Sequence, residues 1–155
     1  MATGTVIHSS IPRTPALANG VAGRVAIAGL LILGVGALAG GIALASKPDG
    51  SVMQFDVNLL AGSPFSDYFV PGLILGGLFG VGSLTAAVLG LRHQPVAPFL
   101  AFAVGCAQMI WIVVELAIIH EFSFLHPTMF GIGAVIAVAS LRWGWPTFQG
   151  WRSAR

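Results

Sequence analysis

One carboxylate, Glu115, stands inside a long apolar run that reads CAQMIWIVVELAIIHEFSFLHP over residues 106–127. Gln108 precedes it, and His120, Glu121 and His126 follow it. On a helix Gln108, Trp111 and Glu115 stand at i, i+3 and i+7 and share one face. An ionisable group in a membrane span is expensive, so it faces the bundle interior or a wet cavity and is a functional candidate by default. Burial raises a carboxylate's pKa and a nearby imidazolium lowers it again, so Glu115 could titrate with a proton or bind a cation, partnered by His120 or His126. The preferred reading is structural: polar residues in spans commonly act as hydrogen-bonded glue between helices.

Asp67 belongs to the same compartment. It stands just ahead of a glycine-rich apolar run, where a negative charge suits a helix N-terminus. Its expected role is therefore structural, although it joins Glu115, Gln108, His120 and His126 as a polar set on one side of the membrane. His120 and His126 with Glu115 and Glu121 give four possible metal ligands, but neighbours such as His120 and Glu121 do not share a helix face, and no recognised ligand motif is present. The histidines lie at span ends, with His8 and His93 on the opposite side, so they do not suit an axial haem pair. No metal and no cofactor is expected. The single cysteine, Cys106, lies in an apolar run and reads as a small packed residue. No nucleophile elbow, zinc-protease helix, phosphate-binding loop or paired cysteine motif occurs. No basic run interleaved with aromatics occurs either, which argues against nucleic acid as a partner.

The elements that must position these groups follow from composition. The chain has 155 residues, 56% hydrophobic and 8% charged, with a mean hydropathy of +0.91. A soluble domain carries about 25% charged residues, so a chain this poor in charge belongs in a bilayer. The expected class is all-α, a bundle of four transmembrane helices. A polar tail over residues 1–24, expected to be disordered, leads into a transmembrane domain over 25–145, with spans at 25–45, 68–91, 96–119 and 122–141. A basic tail over 146–155 follows. The first span runs for 21 residues without a charge, enough for a hydrocarbon core of ~30 Å at ~1.5 Å per residue. Ala43-Leu44-Ala45 also fits a signal-peptide cleavage site, but the apolar run is longer than a signal sequence needs, and the span is read as retained. In the second span Gly72, Gly76 and Gly80 recur every four residues, a small-residue face for close helix packing. Ser63-Pro64 reads as a helix start. Residues 53–60 read as a short segment lying on the membrane surface. Arg142, Trp143 and Trp145 read as an interfacial anchor.

Charge sets the orientation. Arg13, Arg24, Arg92, Arg142, Arg152 and Arg155 fall on one side of the four spans, and Lys47 alone on the other. The positive-inside rule then places both termini in the cytoplasm.

Two segments carry a resemblance. LLAGSPFSDYFVPGLILGGLFGVG, residues 59–82, contains Ser63, Pro64, Phe65, Asp67, Pro71 and Gly72 in a Ser-Pro-Phe-x-Asp-x-x-x-Pro-Gly pattern. WIVVELAIIHEFSFLHPTMFGIG, residues 111–133, contains Trp111, Ile112, Val114 and Glu115, then Phe122 to Pro127. Both are similar to segments of small four-helix integral membrane proteins of bacteria whose function is uncharacterised. The resemblance implies a multi-pass architecture and a bacterial inner membrane, and no activity. The leading expectation is a non-catalytic structural or accessory membrane protein, surrounded by the lipid bilayer and partnered by another membrane protein or by its own copies. The alternatives are a small proton-coupled transporter using Glu115 and a membrane redox or metal-binding subunit.

Overall fold

In a computed structural model, residues 20–119 and 123–153 are described, and these contain helices and loops but no strand. Helix α1 spans Val21–Ser46, α2 spans Phe69–Leu91, α3 spans Ala97–Ile119 and α4 spans Leu125–Ser153. All four are long and apolar enough to cross a membrane. Each helix packs against its neighbours in sequence, and α1 closes the ring against α4. The buried core includes Leu30, Leu33, Ala87, Ala101 and Ile136.

Helix α1 begins ahead of residue 25, and the rest of the expected N-terminal tail, 1–19, lies outside the described residues. Helix α4 runs on through Pro146 to Ser153, past the point where the sequence sets the end of the fourth span. The expected interfacial anchor also changes. Trp143 is only 5% exposed, and its ring fills the space left by two glycines on other helices. A Cβ on Gly23 would lie 3.1 Å from the Trp143 ring, and one on Gly90 would lie 2.8 Å from it. The indole therefore binds the ends of α1, α2 and α4 together. The Trp145 side chain lies outside the described part of the structure.

In lipid the tails are as apolar as the side chains, so association depends on close van der Waals packing. The glycine column of α2 meets α1. A Cβ on Gly72 would lie 2.8 Å from the Ala45 nitrogen, and one on Gly80 would lie 2.9 Å from Leu38 Cα. Gly76 meets Gly41, where a Cβ on Gly41 would collide with the Gly76 backbone. A π-helical segment, Ile74–Val81, lies within this column. A four-residue spacing overshoots the α-helical turn of about 3.6 residues and drifts around the helix. The wider i→i+5 winding of a π turn drifts the other way, and the mixture holds Gly72, Gly76 and Gly80 against α1. Helices α3 and α4 cross in the same manner at Gly105 and Gly133, where a Cβ on Gly105 would lie 2.7 Å from the Gly133 carbonyl oxygen.

The loop between α1 and α2 folds onto the end of the bundle. The Asp49 carboxylate accepts from the Ser51 amide at 3.0 Å and from the Ser51 hydroxyl at 2.7 Å. The Tyr68 amide donates to Pro48 O at 2.9 Å, and the Tyr68 hydroxyl donates to Asp56 O at 2.8 Å. Tyr68, Leu60 and Leu44 form a small satellite core. A 3₁₀ turn, Val57–Leu60, touches α3. Ser63-Pro64 does not start the helix: the Ser63 hydroxyl accepts from the Phe65 amide at 3.1 Å in a local turn. Serine before proline suits either structure, and here the turn wins.

Candidate functional site

Helix α3 presents an interior stripe of Ala101, Val104, Gln108 and Ile112, each less than 9% exposed. Its other side carries Ile110, Val113 and Val114, which are 64%, 57% and 44% exposed. Glu115 continues the interior stripe at i+3 from Ile112 and is half-buried. It therefore turns away from the exposed apolar face, as the cost of a carboxylate against lipid requires.

The fourth helix brings His126 to it. His126 is 9% exposed and close enough to Glu115 for the two to interact when both are ionised. The imidazole also has a local role. His126 Nδ1 stands 3.0 Å from the Ser123 amide and accepts from it, while the Leu125 amide leans on the Ser123 hydroxyl at 3.4 Å. This is a capping box in which histidine replaces the usual Glu or Gln at N3. Nδ1 also stands 3.2 Å from the Ser123 carbonyl oxygen, so which of the two Ser123 groups it engages depends on the ring's tautomer.

Asp67 acts similarly on α2: its carboxylate accepts from the Phe69 amide at 2.9 Å, satisfying one of the free donors at the helix start. Gln108 lies against the α3–α4 crossing, where a Cβ on Gly133 would stand 3.2 Å from its Cβ and Cγ. Trp111 turns toward α2 instead and meets Phe79 in a tilted contact, with ring centroids 5.8 Å apart and ring planes at 56°. The face read as Gln108, Trp111 and Glu115 is thus divided between two neighbours. His120 and Glu121 lie outside the described residues. Among the described residues no group of three or more His, Cys, Asp and Glu side chains could hold a metal.

Sequence reasoning missed two interior polar groups, Ser83 and the Trp143 indole. Ser83 Oγ, Gln108 Oε1 and Trp143 Nε1 are buried with no hydrogen-bond partner among the described residues. A serine in a glycine- and alanine-rich helix carries no signal of its own. Its place one turn after Phe79 becomes meaningful only when Phe79 is known to face α3.

No family model, curated protein or solved structure matches the chain.

Proposed function

We propose that this is a non-catalytic multi-pass protein of a bacterial inner membrane, with a structural or accessory role and both termini in the cytoplasm. One observation carries the reading: the polar residues at the loop end are engaged in holding helices. Asp67 accepts from the Phe69 amide at the start of α2, His126 Nδ1 takes the Ser123 amide at the start of α4, and Glu115 on α3 is half-buried on the interior side. Polar groups at adjacent helix ends commonly act as hydrogen-bonded glue between helices.

Charge supports the orientation. Trp143 meets both Gly23 and Gly90, so the exposed residues Arg24, Arg92 and Arg142 gather at one end of the bundle. The other end carries Lys47 with Asp49, Asp56 and Asp67. The arginine end is the cytoplasmic end by the positive-inside rule. The glycine contacts along α1 support its retention as a span. The exposed apolar side chains of α1 and α2, including Ile32, Val35, Leu78 and Val81, suit lipid, a partner membrane protein or a second copy.

A proton-coupled carrier is the second reading, favoured by the half-buried Glu115 beside His126. Proteoliposomes with a trapped pH dye separate the two. The structural role expects Glu115→Gln to leave proton flux at the wild-type level while lowering resistance to SDS unfolding. A pH-driven flux that is present in the wild type and lost in Glu115→Gln would replace it with the carrier.

A further inference from the structure

The arginine half of α2 carries a groove on its outer face. Val81, Leu84, Thr85, Val88 and Leu89 line a space of about 300 Å³. Val81, Thr85 and Val88 are exposed, and Leu84 and Leu89 are partly buried. Leu84 leans on α1, where a Cβ on Gly34 would lie 2.8 Å from its Cγ, and Leu89 packs against the buried core. The Thr85 hydroxyl is satisfied within the helix, donating to Val81 O at 2.8 Å. What the groove offers a guest is therefore hydrocarbon.

Arg92 stands one turn beyond it. The Arg92 amide donates to Val88 O at 3.0 Å, so this residue continues the helix directly from the groove. At 3.6 residues per turn each residue steps about 100°, and the five lining positions fall between about −60° and +80° of Val81, with Arg92 near the middle at about +20°. The chain then turns back. The His93 amide donates to Gly90 O at 3.0 Å and the Gln94 amide to Leu89 O at 2.9 Å, with a φ of 55° at His93. This Schellman close fixes the backbone that carries Arg92 at the foot of the groove.

Length and charge define the guest. Val81 to Arg92 rises about 16 Å at about 1.5 Å per residue, roughly half of a hydrocarbon core of ~30 Å. A chain in the groove with its polar end at Arg92 thus crosses one leaflet. A guanidinium matches a phosphate with two parallel hydrogen bonds, and its aliphatic stem can lie on apolar surface while the head reaches the interface. Arg24 and Arg142 are exposed at the same end. Asp49, Asp56 and Asp67 belong to the opposite end, and Glu115 and Glu121 come late in α3 and after it. A positive surface of this kind favours an acidic headgroup. A second copy in the same orientation would set its own arginines against these. We propose, on the reading of the four helices as membrane spans, that this face of α2 binds one anionic phospholipid of the leaflet on the arginine side, with an acyl chain along Val81, Thr85 and Val88 and the phosphate on Arg92.

Full-length protein in phosphatidylethanolamine vesicles, with a trace of phosphatidylglycerol bearing a photoactivatable diazirine on its acyl chain, tests this. Flotation with the vesicles checks the membrane reading separately, and failure to float would remove that reading and the site with it. In floated protein, label mapped by peptide mass spectrometry is expected on residues 81–89, displaced by unlabelled phosphatidylglycerol and not by the same amount of added phosphatidylethanolamine. Arg92→Gln is expected to lower it about tenfold, the loss of a charge-assisted phosphate contact. Arg24→Gln removes an equal charge from the same end and should cost clearly less. Thr85→Phe, which fills the groove from an exposed position, should abolish the label. Label absent from residues 81–89, displaced equally by both lipids, reduced equally in the two arginine variants or undiminished in Thr85→Phe would overturn the site.

Discussion

At the scale of single residues, the closest helix contact is the most sensitive. Gly41 has no room for a methyl group, because a Cβ there meets the Gly76 backbone. Backbone cannot rotate aside as a side chain can, so Gly41→Ala must push α1 and α2 apart. Overpacking of this kind costs about 1–3 kcal/mol, against a helix-propensity gain of about 1 kcal/mol from replacing glycine with alanine. Gly36 on the same helix meets nothing within 4 Å, so Gly36→Ala is expected to be neutral or stabilising. SDS-unfolding curves of the two variants should separate clearly. Equal curves would show that the α1–α2 contact is looser than the glycine column implies. The α2 half of this contact was legible in the sequence, because Gly72, Gly76 and Gly80 repeat at a fixed interval. Gly41, Gly105 and Gly133 were not, since a crossing point needs only one glycine on each helix and leaves no period to read. Trp143 misled for a related reason. Tryptophan beside arginine near the end of a span resembles an interfacial anchor, and only the two glycines on distant helices show that the ring is enclosed.

At the scale of elements, caps and turns decide where helices begin. His126 supports α4 through the Ser123 amide when its ring is neutral and supplies charge beside Glu115 when protonated, and substitution separates these roles. Glutamine preserves a capping acceptor but carries no charge, whereas alanine loses both. His126→Ala is expected to cost about 0.5–2 kcal/mol, the range for a lost cap, and His126→Gln to recover most of it. If His126→Gln is as unstable as His126→Ala, the charge beside Glu115 is the dominant contribution and the cap is secondary. In the α1–α2 loop, the Ser51 hydroxyl and amide hold the Asp49 carboxyl below the usual carboxylate range. A carboxylate lowered in this way supports the turn above its unfolded pKa, and that support is lost as pH falls through the lowered value. Amide-exchange protection of Ser51 should therefore be full at neutral pH and fall under acid conditions, and Asp49→Asn should remove that dependence. Protection that falls equally in Asp49→Asn would assign the acid effect to another group. The turn itself has a local signature in Lys47-Pro48-Asp49-Gly50, where proline presets φ and glycine allows a positive one. The Tyr68 bridge to Asp56 has none, because it joins residues twelve apart whose types carry no pairing signal.

At the scale of the whole molecule, four helices were readable because length and hydropathy alone require them. A span needs about 20 apolar residues, and residues 25–45 and 96–119 meet that with few or no charges. The arrangement of the helices around one another is a packing result and required coordinates. Sidedness rests on charge, and the bundle gathers Arg24, Arg92 and Arg142 at the end opposite Lys47 and the acidic loop. The chain has a single cysteine, Cys106, so Cys106→Ser provides a background for labelling. Ser51 and Gln94 are both exposed and lie in loops at opposite ends of α2. In that background Ser51→Cys should react with a membrane-impermeant maleimide in intact spheroplasts, and Gln94→Cys only after the membrane is opened. The reverse pattern would place the arginine end outside, against the positive-inside rule. Equal labelling of both before opening would mean that α2 does not cross the bilayer. With the expected pattern, the Asp67, Glu115 and His126 end faces outward, and any ion or partner that engages it must arrive from that side.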